Sequence, residues 1–205
     1  LDMKLMGAIM DKIISVGMVV LVILFQDEIR RFLVDLGSHK RWRFFLKHFT
    51  PKKENSGEKA YVVPLTLACV NMAKKRVGAL IVLQGDIELT HIERSGEMIN
   101  ADISTRLIEN IFFKNSPLHD GAMIIANGRI SAAGCILPVS HNRDIPKELG
   151  LRHRAALGIS QDTDAKAIVV SEETGNISVA YRGKLHIKLT AKELEDFISD
   201  EPATL

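Results

Sequence analysis

From residue 60 onward, apolar and polar positions follow two alternating patterns. Stretches with apolar residues three and four apart, typical of amphipathic helices, are separated by short apolar runs such as ALIVLQ (79–84), typical of buried strands. Thr190 and Glu193 form a capping-box pattern that opens the last helix. The pattern predicts helices over residues 60–76, 104–113 and 153–160 and after Thr190, and strands over residues 79–84, 123–126, 129–137, 167–171 and 177–181.

The dipeptide Asn127-Gly128 stands between two of the predicted strands. Asn-Gly is the pair most favourable to a type I′ hairpin turn, because both of its positions require a positive φ. Thr174-Gly175-Asn176 indicates a second turn between two later strands. Tight turns join antiparallel strands, whereas helical crossovers join parallel ones. We therefore predict an α/β fold with a mixed, twisted β-sheet flanked by helices.

The N-terminal region predicts a helix of a different kind. Residues 13–25 are all apolar or glycine except Ser15, and the apolar stretch extends back to Leu5 if Asp11 and Lys12 are tolerated. A bilayer requires about 20 residues at the rise of an α-helix. We interpret residues 1–26 as an apolar, membrane-proximal helix, the end of a truncated membrane anchor. The alternative is a buried core helix of a soluble protein, because the apolar residues also fit a one-sided stripe.

The formal net charge of the chain, +2, conceals a strongly basic stretch. Residues 30–53 hold eight Lys and Arg against one acid, a net charge of +7, so the remainder carries −5. The main domain therefore has no nucleic-acid signature, and we expect no nucleic-acid partner. Basic residues directly after a membrane helix are retained in the cytoplasm. We expect localisation at the cell membrane, with the rest of the chain on the cytoplasmic side.

Residues 27–59 are interpreted as a basic amphipathic connector and linker. Their basic, aromatic faces suit a lipid headgroup layer, and the alternative is a connector that docks its aromatic side chains on the domain. The segment TPKKENSGEK (50–59) has the composition of a linker. We place the domain boundary there, so that residues 60–205 form the main domain.

The amino-acid composition excludes several classes of protein. The chain has 205 residues, 46% of them hydrophobic and 25% charged, which excludes intrinsic disorder and collagen-like repetition. Cys69 and Cys135 are the two cysteines, and they lie far apart without a CxxC pair. A zinc site and a disulfide framework therefore both lack support, and a reducing compartment is expected.

Three polar clusters at the ends of predicted elements carry the candidate chemistry. In His119-Asp120-Gly121-Ala122, an acid precedes a strand beside a glycine that permits close approach of a ligand. Arg152, His153 and Arg154 lie at a predicted helix N-terminus, which favours anions. Ser171, Glu172 and Glu173 add oxygen ligands at a turn. An acid, a divalent metal and arginines are the ingredients of phosphoryl or nucleotidyl transfer.

Each cluster taken alone also has an ordinary structural interpretation. HDG is a common turn sequence, RHR is often a solvated basic face, and SEETG is a hairpin turn. The chain contains neither a GxxxxGK[ST] loop nor a GxGxxG between a strand and a helix, so a nucleotide site must be built differently. The residues alone support a phosphate-ligand site and no more.

Four segments together resemble the diadenylate cyclase family, in its membrane-bound branch. They are PLHDGAMII (117–125), RISAAGCILP (129–138), LGLRHRAALGIS (149–160) and IVVSEETGNIS (168–178), and FQDEIRRFL (25–33) is similar to the end of the anchor in that branch. The resemblance implies an enzyme, a nucleotidyltransferase with the diadenylate cyclase-type domain. It would condense two ATP molecules into the second messenger cyclic di-AMP and two pyrophosphates with Mn²⁺ or Mg²⁺, across a face-to-face homodimer.

The resemblance also implies roles for individual residues. Asp120 would help to bind metal and activate the ribose 3′-hydroxyl, with Gly121 and Ala122 near the sugar. His119 and Glu173 would also help to bind the metal. The remaining roles are a triphosphate grip by Arg152, His153 and Arg154, phosphate and nucleotide contacts by Ser171 and Glu172, and an adenine wall formed by Leu137 with the backbone of Gly134, Cys135 and Ile136.

Two residues depart from the family pattern. Ile136 stands where many members carry an aromatic ring against adenine, and Leu151 stands where many carry a small hydroxyl residue before RHR. Loss of base stacking at position 136 would cost about 1–3 kcal/mol of adenine binding free energy. A competing hypothesis is a non-catalytic adenine-nucleotide-binding module in a membrane complex, and the presence of Asp120 argues against it. A regulatory protein partner, in the membrane or the cytosol, is a further expectation.

Overall fold

A computed structural model describes residues 61–140 and 149–199, together with scattered helical positions between residues 12 and 29. The chain divides into two compact units, Leu1–Lys52 and Lys53–Leu205, whose boundary lies inside the predicted linker. In the first unit, the backbone N–H of Ile29 donates to the carbonyl of Phe25, as in a helix. None of the helices among the described residues combines the length and apolarity that a bilayer crossing requires. Residues 30–60, which include most of the predicted connector, lie outside the described residues.

The second unit alternates strands and helices, as the apolar pattern predicts. In chain order it contains α1 (Val62–Lys74), β1 (Ala79–Leu83), α2 (Thr90–Glu93), β2 (Glu97–Asp102), α3 (Thr105–Ile111), a 3₁₀ turn (Pro117–His119), β3 (Ala122–Ala126), β4 (Arg129–Cys135), α4 (Leu151–Asp162), β5 (Lys166–Val170), β6 (Ile177–Tyr181), β7 (Lys184–His186) and α5 (Ala191–Ile198).

The seven strands form one sheet in the order β2-β4-β3-β1-β5-β6-β7. β1 and β3 are parallel, and the other neighbouring pairs are antiparallel. The prediction of a mixed sheet flanked by helices is thus confirmed. Asn127 and Gly128 have φ of 52° and 72°, as the predicted type I′ hairpin requires.

Helices cover both faces of the sheet, which explains why β1 is apolar at every position. Ile81 belongs to a core cluster shared with α1, α3 and α5, whereas its neighbours Leu80 and Val82 belong to a cluster shared with α2 and α4. Successive side chains of a strand point to opposite faces, so a strand buried on both faces has no polar positions. The resulting three-layer core fixes the strand ends that carry the site.

Several boundaries differ from the predictions, and some elements were missed. β4 ends at Cys135, two residues earlier than predicted, and α4 begins at Leu151, two residues earlier than predicted. β2, with the sequence EMINAD, was missed because it is a largely exposed edge strand without apolar alternation. The helix α2, the 3₁₀ turn and β7 were missed because each has only three or four residues, too few to show a period.

Candidate active site

The topology brings all three polar clusters to one edge of the sheet, by which we mean the side where the ends of its central strands lie. β1 and β3 begin at this edge, and their antiparallel neighbours β5 and β4 end there. Asp120 precedes β3, the predicted adenine wall (residues 134–137) spans the end of β4, and Ser171 follows β5. The N-terminus of α4 reaches the same edge, because Nη1 of Arg152 lies 3.1 Å from Oε2 of Glu172. The strand order thus brings to one edge three clusters whose residues lie up to 54 positions apart, from His119 to Glu173.

Asp120 lies in an exposed turn between the 3₁₀ turn and β3. Ser116 caps the 3₁₀ turn, since its hydroxyl accepts a hydrogen bond from the backbone N–H of Leu118 at 3.3 Å. Among the described residues, no side chain pairs with the Asp120 carboxylate. A solvated carboxylate at the start of a buried strand is available to a metal ion or to a hydroxyl proton.

Gly121 follows Asp120 directly and packs tightly against β4, the strand that carries the start of the predicted adenine wall. Its φ is +128°, and a Cβ built on it would lie 2.6 Å from the carbonyl carbon of Gly134. Gly134 itself has a φ of +68°. The next residue, Ala122, is fully buried and pairs with Cys135 of β4. Two glycines in contact therefore fix the position of Asp120 relative to the end of β4.

The ring of His119 is anchored by its own turn. Its Nδ1 lies 2.5 Å from the carbonyl oxygen of Ser116. A carbonyl oxygen can only accept, so Nδ1 carries the proton and donates it, and Nε2 remains the basic nitrogen. Nε2 is thus the nitrogen of His119 that can act as a ligand.

The predicted adenine wall, residues 134–137, presents one apolar side chain outward. Ile136 is 73% exposed, whereas Leu137 is 8% exposed and packs in the core cluster beneath α4. Burial, and secondarily the charge of Glu93, raise the pKa of the Cys135 thiol to about 11. Cys135 therefore stays a neutral thiol. Because Leu137 is buried, the outward surface of the predicted adenine wall comes from Ile136.

Two connections hold this segment in place. The hydroxyl of Ser95 accepts a hydrogen bond from the backbone N–H of Ile136 at 2.9 Å and donates to the carbonyl of Ile92 at 2.6 Å. The N–H of Ser140 donates to the carbonyl of Arg154 at 3.0 Å. The wall is thus connected both to α2 and to α4. No sequence pattern indicated Ser95, because it acts through a helix that is too short to show a period.

The RHR motif occupies the first turn of α4. Gly150 is the N-cap and Leu151 is the first helical residue, and the turn contains no acidic side chain. Leu151 is 76% exposed, Arg152 and Arg154 are half-buried, and His153 is buried. Free N–H groups and the helix dipole already favour an anion at such a terminus, and two guanidinium groups strengthen that preference. This arrangement fits a phosphate group.

His153 is held neutral by its surroundings. Burial lowers the pKa of its imidazole below 6.5, and the nearby carboxylate of Glu173 only partly offsets this effect. The unfolded chain therefore binds a proton at a pH where the folded chain does not. The contribution of His153 to stability is fully present above about pH 6.5 and decreases as the pH falls toward the lowered pKa.

We therefore expect His153→Gln to reduce the pH dependence of stability. The melting temperature of the unsubstituted chain should fall further between about pH 7.5 and about pH 5.5 than that of the variant, because glutamine takes up no proton. Thermal unfolding followed by circular dichroism at the two pH values measures this. Equal losses in both proteins would show that burial of His153 does not contribute to the pH dependence.

The turn after β5 is a hairpin turn that also holds a charged pair. The N–H of Gly175 donates to the carbonyl of Ser171 at 2.9 Å, as the turn prediction requires. The hydroxyl of Ser171 accepts from the N–H of Thr174 at 3.2 Å. Glu172 pairs with Arg152, and Glu173 is exposed. The structure thus gives Glu172 an arginine partner, which sequence reasoning did not foresee.

Metal ligands are few at this edge. No group of three or more His, Cys, Asp or Glu side chains able to hold a metal ion occurs within residues 61–140 and 149–199 or at the described helical positions before them. The three predicted ligands, His119, Asp120 and Glu173, therefore do not form a preassembled metal shell. A shallow depression of about 100 Å³ lies at the opposite edge of the sheet, and none of the candidate residues lines it.

Comparison with known proteins agrees with this arrangement. Residues 66–185, which include every candidate residue, match the family model described as DisA bacterial checkpoint controller nucleotide-binding. The chain belongs to the diadenylate cyclase family. The resemblance of the motifs is thereby confirmed, as is the expectation of a nucleotidyltransferase. Residues 1–29 of this cyclase match a second model, the CdaA N-terminal transmembrane domain, which indicates membrane association.

Relatives are similar over most of the cyclase. The cyclic di-AMP synthase CdaA of Bacillus subtilis is 45% identical over 193 residues, 94% of this chain and 69% of that protein. The diadenylate cyclase of Listeria monocytogenes is 39% identical over 197 residues, 96% of this chain and 70% of that protein. A crystal structure of DacA from Staphylococcus aureus superposes with a TM-score of 0.68 at 42% identity, covering 70% of this chain and 95% of that one.

Proposed function

We propose that this cyclase condenses two ATP molecules into cyclic di-AMP and two pyrophosphates, in a site completed by two chains. Each ribose 3′-oxygen attacks the α-phosphorus of the other ATP, each bond from that phosphorus to pyrophosphate breaks, and two hydroxyl protons are released. The observation that carries the proposal is a single sheet edge that holds a helix N-terminus bearing two arginines and the carboxylate of Asp120, which has no ion-pair partner among the described residues.

Asp120 is the residue that would accept the 3′-hydroxyl proton. Its carboxylate is exposed and has no ion-pair partner among the described residues. No existing ion pair therefore has to break before this carboxylate accepts the proton. A positioned base contributes about 10²–10⁴-fold to such a step. Gly121, which is packed against Gly134, would hold this carboxylate close to the sugar.

The first turn of α4 would bind the triphosphate. Arg152 and Arg154 offer guanidinium groups that match phosphate oxygens, and neutral His153 offers a hydrogen-bond donor. The helix N–H groups add to this without any side chain. Ser171, at the adjoining turn, would contribute a hydroxyl. Positioning and charge neutralisation supply most of the catalysis in reactions of this class.

The residues at this edge fit a divalent metal that arrives with ATP. Mg²⁺ is commonly bound by one or two carboxylates together with substrate phosphates and water, so a complete protein shell is not needed. The exposed carboxylate of Asp120 and the Nε2 of His119 would provide two ligands, and the exposed carboxylate of Glu173 would support them. When bound, Mn²⁺ or Mg²⁺ would neutralise charge that develops on the phosphate oxygens.

Adenine would lie against Ile136 and Leu151. Both are apolar side chains exposed by about three quarters, at 73% and 76%, at the same edge. At Ile136, apolar packing would replace the ring stacking of the family pattern, so we expect the adenine to be bound by packing and by backbone groups of the wall. The N–H of Ile136 already donates to Ser95, so base recognition must use other backbone groups.

The contents of one domain support a site shared by two chains. One domain offers one Asp120, one RHR turn and one apolar wall, whereas the product needs two nucleotides placed for two reciprocal attacks. The site is an open edge with exposed walls, and a nucleotide bound there stays accessible until another surface covers it.

The cyclase domain would lie on the cytoplasmic side of the membrane, because the basic residues 30–53 follow the transmembrane-domain match.

Dilution tests the shared site. At saturating ATP and Mn²⁺, we expect the rate of cyclic di-AMP formation per chain to rise with protein concentration and to level off once dimers dominate. The full chain in detergent micelles is assayed at concentrations for which sizing has established the oligomeric state. A rate per chain that stays constant down to concentrations with monomers only would contradict a site made by two chains.

A further inference from the structure

Gly78 lies directly before β1, at the edge that carries the candidate site, and it is buried. Its φ lies outside the left-handed region, so its backbone has a conformation that any residue can adopt. Backbone freedom therefore does not explain a glycine at this position. The explanation has to come from what surrounds the missing side chain.

The space beside Gly78 is occupied by the ion pair of the site. A Cβ on Gly78 would lie 2.7 Å from Nη1 of Arg152 and 2.9 Å from Oε2 of Glu172. These are the two atoms that form the 3.1 Å ion pair. The side chain of Arg152 is only 25% exposed, because it lies against the start of β1. An alanine would have to displace one or both charged groups.

We propose that Gly78 is a positioning residue of the triphosphate site. Its missing side chain lets Arg152 and Glu172 lie across the start of β1, where the pair holds the guanidinium group ready for phosphate. The inference rests on the proposed function, in which Arg152 binds the triphosphate. Gly78 acts through Arg152 and touches neither substrate nor metal in this scheme.

The clash at Gly78 affects orientation and leaves the fold intact. The atoms that a Cβ would meet are the far ends of two flexible side chains, which can move without disturbing the backbone. Gly158 provides the contrast, because a Cβ there would lie 2.2 Å from the backbone carbonyl oxygen of Pro138. We therefore expect Gly78→Ala to alter nucleotide affinity and Gly158→Ala to lower stability.

Binding of 3′-deoxyATP with Mg²⁺ to the full chain in detergent measures the affinity without turnover, because this nucleotide lacks the attacking hydroxyl. We expect Gly78→Ala to raise the dissociation constant about tenfold, the effect of one lost charge-assisted hydrogen bond. Its melting temperature should stay at that of the unsubstituted chain. Arg152→Ala should raise the dissociation constant at least as much, and Gly78→Ala should add nothing in that background.

The outcomes separate this inference from the proposed function. If Arg152→Ala leaves the dissociation constant unchanged, the proposed role of Arg152 in triphosphate binding fails. If Arg152→Ala weakens binding and Gly78→Ala does not, the role of Gly78 is overturned and the function stands. A full additional loss on adding Gly78→Ala to Arg152→Ala, or a fall in melting temperature as large as that of Gly158→Ala, also overturns the inference.

Discussion

Asp120→Asn should lower the rate of cyclic di-AMP formation by about 10²–10⁴-fold while leaving the chain folded. Asparagine has nearly the same shape, but it lacks both the negative charge that attracts a metal ion and the basicity that accepts the 3′-hydroxyl proton. The carboxylate is exposed and has no ion-pair partner within the described part of the chain, so its removal breaks no interaction that stabilises the fold. Product formation and the melting temperature are measured on the same preparation.

Asp162→Asn is the matched control for this substitution. Asp162 is also an exposed aspartate, and it lies at the far end of α4 from the RHR turn. The same loss of one negative charge there should leave the rate unchanged. An Asp120→Asn variant that retains more than about a tenth of the activity would rule out the carboxylate as the essential base.

Gly121→Ala should remove activity by disturbing the backbone that carries Asp120. The added Cβ would lie 2.6 Å from the carbonyl carbon of Gly134, and residue 121 has a φ of +128° that L side chains rarely adopt. The positive φ costs about 1–2 kcal/mol and the overpacking about 1–3 kcal/mol more. We expect the free energy of unfolding to fall by at least about 2 kcal/mol, as measured by denaturant titration.

Gly128→Ala separates the cost of φ from the cost of the clash. Gly128 has a φ of +72°, but a Cβ there would meet nothing within 4 Å. This variant should lose about 1–2 kcal/mol of stability and keep its activity. If Gly121→Ala loses no more stability than Gly128→Ala and remains fully active, the contact between residues 121 and 134 does not hold the site.

The parts of the fold that follow from local chemistry were predictable from sequence. Asn127-Gly128 can satisfy a type I′ turn and the Thr190 to Glu193 pattern can satisfy a capping box, and both are present in the structure. The apolar run at β1 indicated a strand covered on both faces. The motif at α4 indicated a helix N-terminus, because its arginines directly precede an apolar helical stretch.

Other features depend on tertiary contacts that no local pattern encodes. The edge strand β2 is largely exposed and is held by hydrogen bonds to β4, so its sequence shows no regular alternation of apolar and polar residues. Ser95 connects α2 to Ile136 across 41 positions in the sequence. The pairing of Arg152 with Glu172 depends on the neighbouring β1, where Gly78 leaves room for both.

Side-chain direction was also beyond the sequence. Ile136 and Leu137 are consecutive apolar residues, yet one is exposed and the other is buried in the core beneath α4. Successive side chains along an extended segment point to opposite faces, and two neighbouring apolar residues give no sign of which of them faces the core.

The product formed from ATP tests the central claim most directly. The full chain is incubated with ATP and Mn²⁺, and the products are identified by mass spectrometry, with the Asp120→Asn chain in parallel. We predict cyclic di-AMP with two pyrophosphates for each molecule formed, and almost none from the variant. The appearance of only ADP or AMP, or equal yields of cyclic di-AMP from both chains, would contradict nucleotidyl transfer at this edge of the sheet.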